Sequence, residues 1–360
     1  MDRHGHRLID TIAQPAARTG RSRAQPVTPG SYSIGERAAL TRHRIATVIL
    51  AGLLTLESTM RAGSNTPTVT VPSTVMVERH HYSMSARVRP LLVFWISRSG
   101  VGDAVVTKRR GPDQSGYSLL IGSDPDRAPR RINRWGYIDE ELHGAEAHII
   151  GLMTESDEQS VEEAEAHIRQ QAGGDRTYQI MQATIDGEHA RSVVTAIGVP
   201  TDYSFRQVRT VLDLARRESP DGKTRDVRVP TGTRPGFLCA LADLMHQHVQ
   251  TFHAPGGVRR GQVLTYVYHG RLYKLRATRA EAVPRLRVGS TMYQQVIAAD
   301  FEIHNLETGE LTAFSMTFGI EGPFAEVPLT VSYQPRWWMQ VDLALDDTTA
   351  GPTLSDGLTP

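Results

Sequence analysis

Histidines, a lone cysteine and a run of arginines are the residues of this chain with the most chemistry to offer. There are 14 histidines. His143-Gly144-Ala145-Glu146-Ala147-His148 is one residue away from the H-x-x-E-H pattern of a zinc site. On a helix that residue turns the second histidine about 100° off the ligand face. Gly144 and the β-like run after His148 argue for strand-edge histidines instead. His246 and His248 diverge by about 200° on a helix and cannot share one metal, while His248 falls on an apolar face as a hydrogen-bonded core histidine. Cys239, Asp243 and His246 share a face, but seven residues rise roughly 10 Å, and a nucleophile must lie about 3 Å from its base. Cys239 therefore reads as a small core residue. The acidic run Glu155-Ser156-Asp157-Glu158 with Glu162-Glu163 lacks EF-hand spacing and suits a solvated helix start. No G-x-S-x-G, G-x-G-x-x-G, Walker loop or H-E-x-x-H motif occurs. The expectation is no assigned catalytic residue, no metal and no cofactor.

One segment remains as a candidate binding site. Arg127, Arg130, Arg131 and Arg134 stand within eight positions, with Trp135 and Tyr137 beside them and Pro129 stiffening the loop. Guanidinium forks next to aromatic faces suit a carboxylate, phosphate or sulfate head group. The competing expectation is pairing with Asp124, Asp126, Asp139, Glu140 and Glu141, in which case each surface pair contributes about 0–1 kcal/mol.

Composition narrows the setting. Lysine and arginine number 40 against 39 acids, a net charge of +1, so no global field draws the chain to nucleic acid. The single cysteine rules out an internal disulfide and a cysteine-based zinc site. Residues 41–62 carry a basic flank (Arg42, Arg44), an apolar core from Ile45 to Leu56, and an exit of mostly small residues. That core is too short for a membrane span, which needs about 20 residues, and matches the apolar region of an export signal. Export to the periplasm, cell envelope or medium is the expectation, with a mature N-terminus between Ala62 and Ser73. Residues 1–77 then form leader, signal and linker, 78–346 a β-rich domain with a possible seam near 220–232, and 347–360 a disordered tail.

The elements follow from periodicity. Leu91–Ile96, Ala104–Thr107 and Tyr117–Ile121 read as strands, separated by turns at Ser99–Asp103 and Gly111–Asp113. Ala147–Met153 is a further strand, and Tyr178–Ile185 with Ala190–Ile197 forms a hairpin around Asp186-Gly187. Capping boxes at Ser160–Glu163 and Ser204–Gln207 start two helices, and a third follows Thr233-Arg234-Pro235. From Gln262 onward the pattern is hairpins: Val263–Tyr268 with Leu272–Ala277, Tyr293–His304 with Leu311–Phe318, and Val327–Tyr333 with Trp337–Leu345. Thr312, Phe314, Met316 and Phe318 share one face, as do Trp337, Met339, Val341, Leu343 and Leu345. The predicted fold is α+β, mainly antiparallel sheet or half-barrel with about three covering helices.

Phe301-Glu302-Ile303 with the Gly309 turn, the Phe314–Phe318 strand, Val327-Pro328-Leu329 and the closing Asp342-Leu343 resemble exported bacterial proteins of unknown function that carry an antiparallel half-barrel. The resemblance implies no catalytic residue. Aromatic amphipathic strands without a catalytic constellation point to a non-enzymatic binder of an amphipathic or apolar, lipid-like ligand. An exported hydrolase would need histidines from distant strands, such as His189, His269 and His304, to converge with a carboxylate. A structural protein of a surface assembly would instead show a large exposed apolar patch.

Overall fold

The computed structural model describes residues 75–89, 95–154, 174–218, 222–253 and 262–346, with the single helical residue Ala166. Fifteen strands form one sheet. The first half supplies β1 (Met76–Val88), β2 (Ile96–Arg110), β3 (Ser115–Ser123), β4 (Trp135–His143), β5 (Glu146–Thr154), β6 (Asp175–Asp186), β7 (His189–Pro200) and β8 (Lys223–Arg228). The second supplies β9 (Arg234–Pro235), β10 (Val263–Tyr268), β11 (Arg271–Val288), β12 (Thr291–Asn305), β13 (Leu311–Gly319), β14 (Pro328–Arg336) and β15 (Met339–Leu345). Neighbours in sequence are neighbours in the sheet, and pairing is antiparallel except where β9 runs parallel to β10. The halves meet where β1 pairs with β15, Tyr82 opposite Leu345 and Val88 opposite Met339. Around residues 229–233 the chain passes from one edge of the sheet, β8, to the other, β9.

Two α-helices occur among the described residues, α1 (Val208–Glu218) and α2 (Phe237–His253). The Ser204 capping box forms before α1, with Ser204 Oγ accepting from Arg206 N–H and Gln207 Oε1 accepting from Ser204 N–H. The helix expected from Ser160 lies outside the described residues, as do the acidic run beside it and the strand residues Leu91–Phe94.

Side-chain alternation decides which helix each strand faces. Along β6, Met181, Ala183 and Ile185 join a core around α2, while Tyr178 and Ile180 join one with Val208, Val211 and Leu212 of α1. The α2 core also takes Ile138 and Ile149 from one half and Tyr266, Leu275, Phe301 and Phe318 from the other. Strands far apart in the sheet order thus bury their apolar rows against one helix. The sheet must curl around α2 for this to happen.

Two sequence expectations change. Ser99–Asp103 is not a turn. Residues 96–110 form one continuous strand, and the irregularity is a bulge opposite Ser85, with Gly100 at φ +65°. Ala104–Thr107 pairs with β3 on one side and with β1 on the other, and β1 is the partner no expectation included. Trp337 stands before β15 with its side chain exposed, outside the apolar row that Met339, Val341 and Leu343 continue.

Candidate functional site

Curling leaves a space on one flank of α2. A cavity of about 350 Å³ lies between the inner face of β1, β2, β3, β13, β14 and β15 and the helix side bearing Leu238, Leu241, Ala242 and Met245. Its wall is built in cross-strand rows: Met84 opposite Leu343, Ala86 opposite Val341, and Val106 opposite Leu119. Ala86, Gly122, Ala128 and Ala242 are the small residues on its lining. The volume lies within the range of small-molecule sites, and the wall is overwhelmingly apolar.

Polar groups stand at two places on the lining. Glu78, His80, Lys108, Tyr117 and Glu326 cluster at one. There Glu326, in the loop after β13, bridges the sheet and the helix: its carboxylate lies 3.7 Å from Lys108 Nζ and 2.5 Å from His246 Nδ1. Lys108 Nζ also sits 6.0 Å from the Tyr117 ring centre, within cation–π range. Burial pushes the Tyr117 phenol up to about 12, so it stays a hydrogen-bond donor at neutral pH. Ser123, Arg134 and Arg336 line the other place, with the β3–β4 loop.

That loop is the arginine-rich segment, and its members part company. Arg127 is structural: it donates to Asp124 Oδ2 at 2.7 Å and to the Asp103 carboxylate, and Arg206 donates to the same Asp124 oxygen at 2.6 Å. Hydrogen bonds from Arg127 and the Asp126 amide outweigh burial and hold the Asp124 carboxyl below its ordinary range. Arg131 is exposed and only 3.7 Å from Asp126. Ala128, Pro129, Ile132 and Arg134 are the part of the loop that borders the cavity. Trp135 also borders it but is buried, with its ring 5.0 Å from Tyr178 and its Nε1–H donating to Tyr203 O. The side chain of Arg130 lies outside the described residues.

A buried carboxyl fixes the helix that forms the cavity's floor. Glu140 of β4 accepts the Leu238 amide on Oε1 and the Cys239 amide on Oε2, each at 2.8 Å, capping two otherwise unpaired donors at the start of α2. Gly236 precedes them at φ +85°, and a Cβ there would overlap the Glu140 carboxyl. Burial pushes Glu140 up to about 7 against the pull of those amides. Burial, with the Glu140 carboxyl beside it, drives the Cys239 thiol upward, away from the thiolate form.

Among the described residues the candidate histidines form no group of three that could hold a metal ion. His143 and His148 lie on β4 and β5 with rings 5.9 Å apart, as strand histidines. His246 turns outward to Glu326, and Asp243 pairs with Arg234 at 2.5 Å. His248 is fully buried, and burial keeps it neutral. Neither ring nitrogen finds a partner among the described residues, unlike the hydrogen-bonded core histidine expected. His189 sits at the β6–β7 turn, His269 at the β10–β11 turn and His304 near the end of β12. Among the described residues no three metal-ligating side chains are grouped to hold an ion, and no helix is long and apolar enough to cross a membrane.

Comparison with protein-family models, curated proteins and solved structures finds no match to the chain. The cavity could not be located from sequence, because it needs β1 beside β15. The one available signal was the even-numbered row His80, Tyr82, Met84, Ala86 and Val88, which polar neighbours obscure.

Proposed function

We propose that the protein is a non-enzymatic binder of an apolar or amphipathic ligand, held between the curled sheet and α2. The cavity of about 350 Å³ with its apolar wall carries this reading. A binder with few polar groups selects by length and shape, and an amphipathic ligand would place its polar end at the Arg134 or the Lys108 side. A helix starting at Ser160 would be a third cover on the sheet. The signal-like segment 41–62 supports export, which would put the ligand in the cell envelope, where lipid-like molecules are at hand.

The test is occupancy and its blockade. Native mass spectrometry after mild purification should show a bound apolar species, and N-phenylnaphthylamine should gain fluorescence on binding the stripped protein. Ala86→Phe, which projects a ring from the wall into the space, should cut probe binding by at least about tenfold while leaving the melting temperature unchanged or raised. Probe binding that A86F does not alter would place the ligand elsewhere and end the proposal.

A further inference from the structure

The two polar places on the cavity lining differ in what they leave unpaired. At the β3–β4 loop, Ser123 Oγ donates to Ile132 O at 2.7 Å and accepts the Arg134 amide at 2.8 Å, and Arg134 and Arg336 have partners of their own. That end offers a ligand little. The other end is a cross-strand row on the inner face. Glu78 of β1 stands opposite Lys108 of β2, Lys108 opposite Tyr117 of β3, and Tyr117 opposite Glu140 of β4. Glu78, Lys108 and Tyr117 line the cavity, while the Glu140 carboxyl is taken up by the amides of α2.

Lys108 and Tyr117 are donors in want of an acceptor. Lys108 Nζ lies 3.7 Å from a Glu326 oxygen, beyond hydrogen-bond length, and only 15% of its side chain is exposed. Among the described residues neither this ammonium nor the Tyr117 hydroxyl has a hydrogen bond; their shared contact is the ammonium over the Tyr117 ring. Donors drawn this far out of water are costly unless something supplies an acceptor. Side chains paired across adjacent strands stand about 5 Å apart, so one oxygen between these two could accept from both.

The charges nearby then limit the ligand. Glu78 and Glu326 belong to the same end of the cavity, Glu78 bound to His80 at 2.9 Å and Glu326 to His246 at 2.5 Å. A carboxylate head would lie among those two acids and contend with Glu326 for Lys108. A cationic head would meet Lys108 itself. Either would also shed its water into an apolar space, which costs a charged group far more than a neutral one. An ester, carbonyl or hydroxyl oxygen takes both donors without either conflict.

We infer that the cavity selects uncharged lipids, with a head-group oxygen accepting from Lys108 Nζ and Tyr117 Oη and the chain running along β1 toward Met84 and Ala86. The inference rests on the cavity reading and adds the class of ligand: a long-chain alcohol or ester rather than a fatty acid or an amine. Glu78 and Glu326 are then the residues that turn the acid away.

Displacement of N-phenylnaphthylamine by compounds that share a decyl chain and differ in the head group tests it. Near neutral pH, decanol and decyl acetate should displace the probe from the stripped protein at concentrations at least about tenfold below those of decanoate and decylammonium. Tyr117→Phe and Lys108→Met should each weaken decanol and decyl acetate about fivefold while leaving the probe's own affinity within about twofold. Glu78→Gln with Glu326→Gln should improve decanoate at least about fivefold, a gain that a misfolded variant could not give. Decanoate or decylammonium that matches decanol in the wild type would overturn the inference and leave the cavity reading standing. So would decanol binding unmoved in both Tyr117→Phe and Lys108→Met, or decanoate unimproved by the two glutamines. Failure of the cavity reading shows separately, as probe binding that Ala86→Phe does not alter, and takes this inference with it.

Discussion

The stability cost of replacing Glu140 by glutamine should shrink as pH rises. The side chain is buried, and both its oxygens accept amides at the start of α2. Burial nonetheless pushes its pKa up to about 7, from 4.5 when exposed. A raised folded pKa means the native state holds a proton that the unfolded state has lost, so the group stabilises below pH 4.5 and loses that contribution as pH rises through 7. Most of that contribution is lost between pH 5 and pH 8, a swing of about 2–3 kcal/mol at about 1.4 kcal/mol per pH unit. The wild type alone would hide it. Burial lowers His269 to about 4, which makes stability fall as pH drops from 6.5, the opposite slope. The assay is therefore the difference between wild type and E140Q in urea unfolding at pH 5 and pH 8, where His269 cancels. Glutamine stays neutral but keeps only one acceptor oxygen and turns an NH2 toward the second amide, so E140Q should be less stable at pH 5 by about 1–3 kcal/mol, and that deficit should shrink by about 2–3 kcal/mol by pH 8. If the deficit of E140Q instead stays constant or widens from pH 5 to pH 8, the carboxylate is ionised in the fold and the argument fails.

Gly236→Ala should be strongly destabilising, by about 2–4 kcal/mol, because it adds a Cβ against Glu140 at a left-handed backbone position; thermal melting followed by circular dichroism reads it. Asp124→Asn should cost about 1–2 kcal/mol at pH 7, with solvent around Arg127 and Arg206 limiting the loss. Its lowered pKa implies stability that is present above the unfolded value near 3.8 and lost as pH falls through the folded one, so D124N should flatten the acid limb of a melting-temperature profile.

The strands with clean alternation were legible. Tyr178–Ile185 with Ala190–Ile197 and the three C-terminal hairpins pair as periodicity requires, and Gly187 and His269-Gly270 supply left-handed positions at two of the turns, the first turn being Gly187-Glu188 rather than Asp186-Gly187. β1 was not legible: Glu78, Arg79, His80 and His81 give it a polar face and a polar end, and its inner row gains meaning only beside β15. The 99–103 glycines were misread for a related reason, since a bulge and a turn use the same residues and only the partner strand tells them apart. At the site, Arg127 was visible as a pairing arginine, but Asp103 and Arg206 are distant in sequence and no spacing announces them. The Glu140 cap was hidden in the same way, a strand residue meeting a helix start nearly a hundred positions later.

The pairing of β1 with β15 also sets an order of assembly. During synthesis β1 can find β2 at once, but its other edge stays open until nearly all of the folded region has been made, and loop closure over such a length is slow. The cavity straddles that last join, with walls from both sides of it. It therefore comes into being only when the final strand docks, and a hydrophobic molecule lodged there would act as a clasp on the finished sheet. The ends of the described unit lie together, Asp346 N–H donating to His81 O at 2.8 Å. A chain reopened at the exposed Gly144 turn and linked across residues 75 and 346 would form β15 and β1 as an ordinary hairpin, making the slowest contact local.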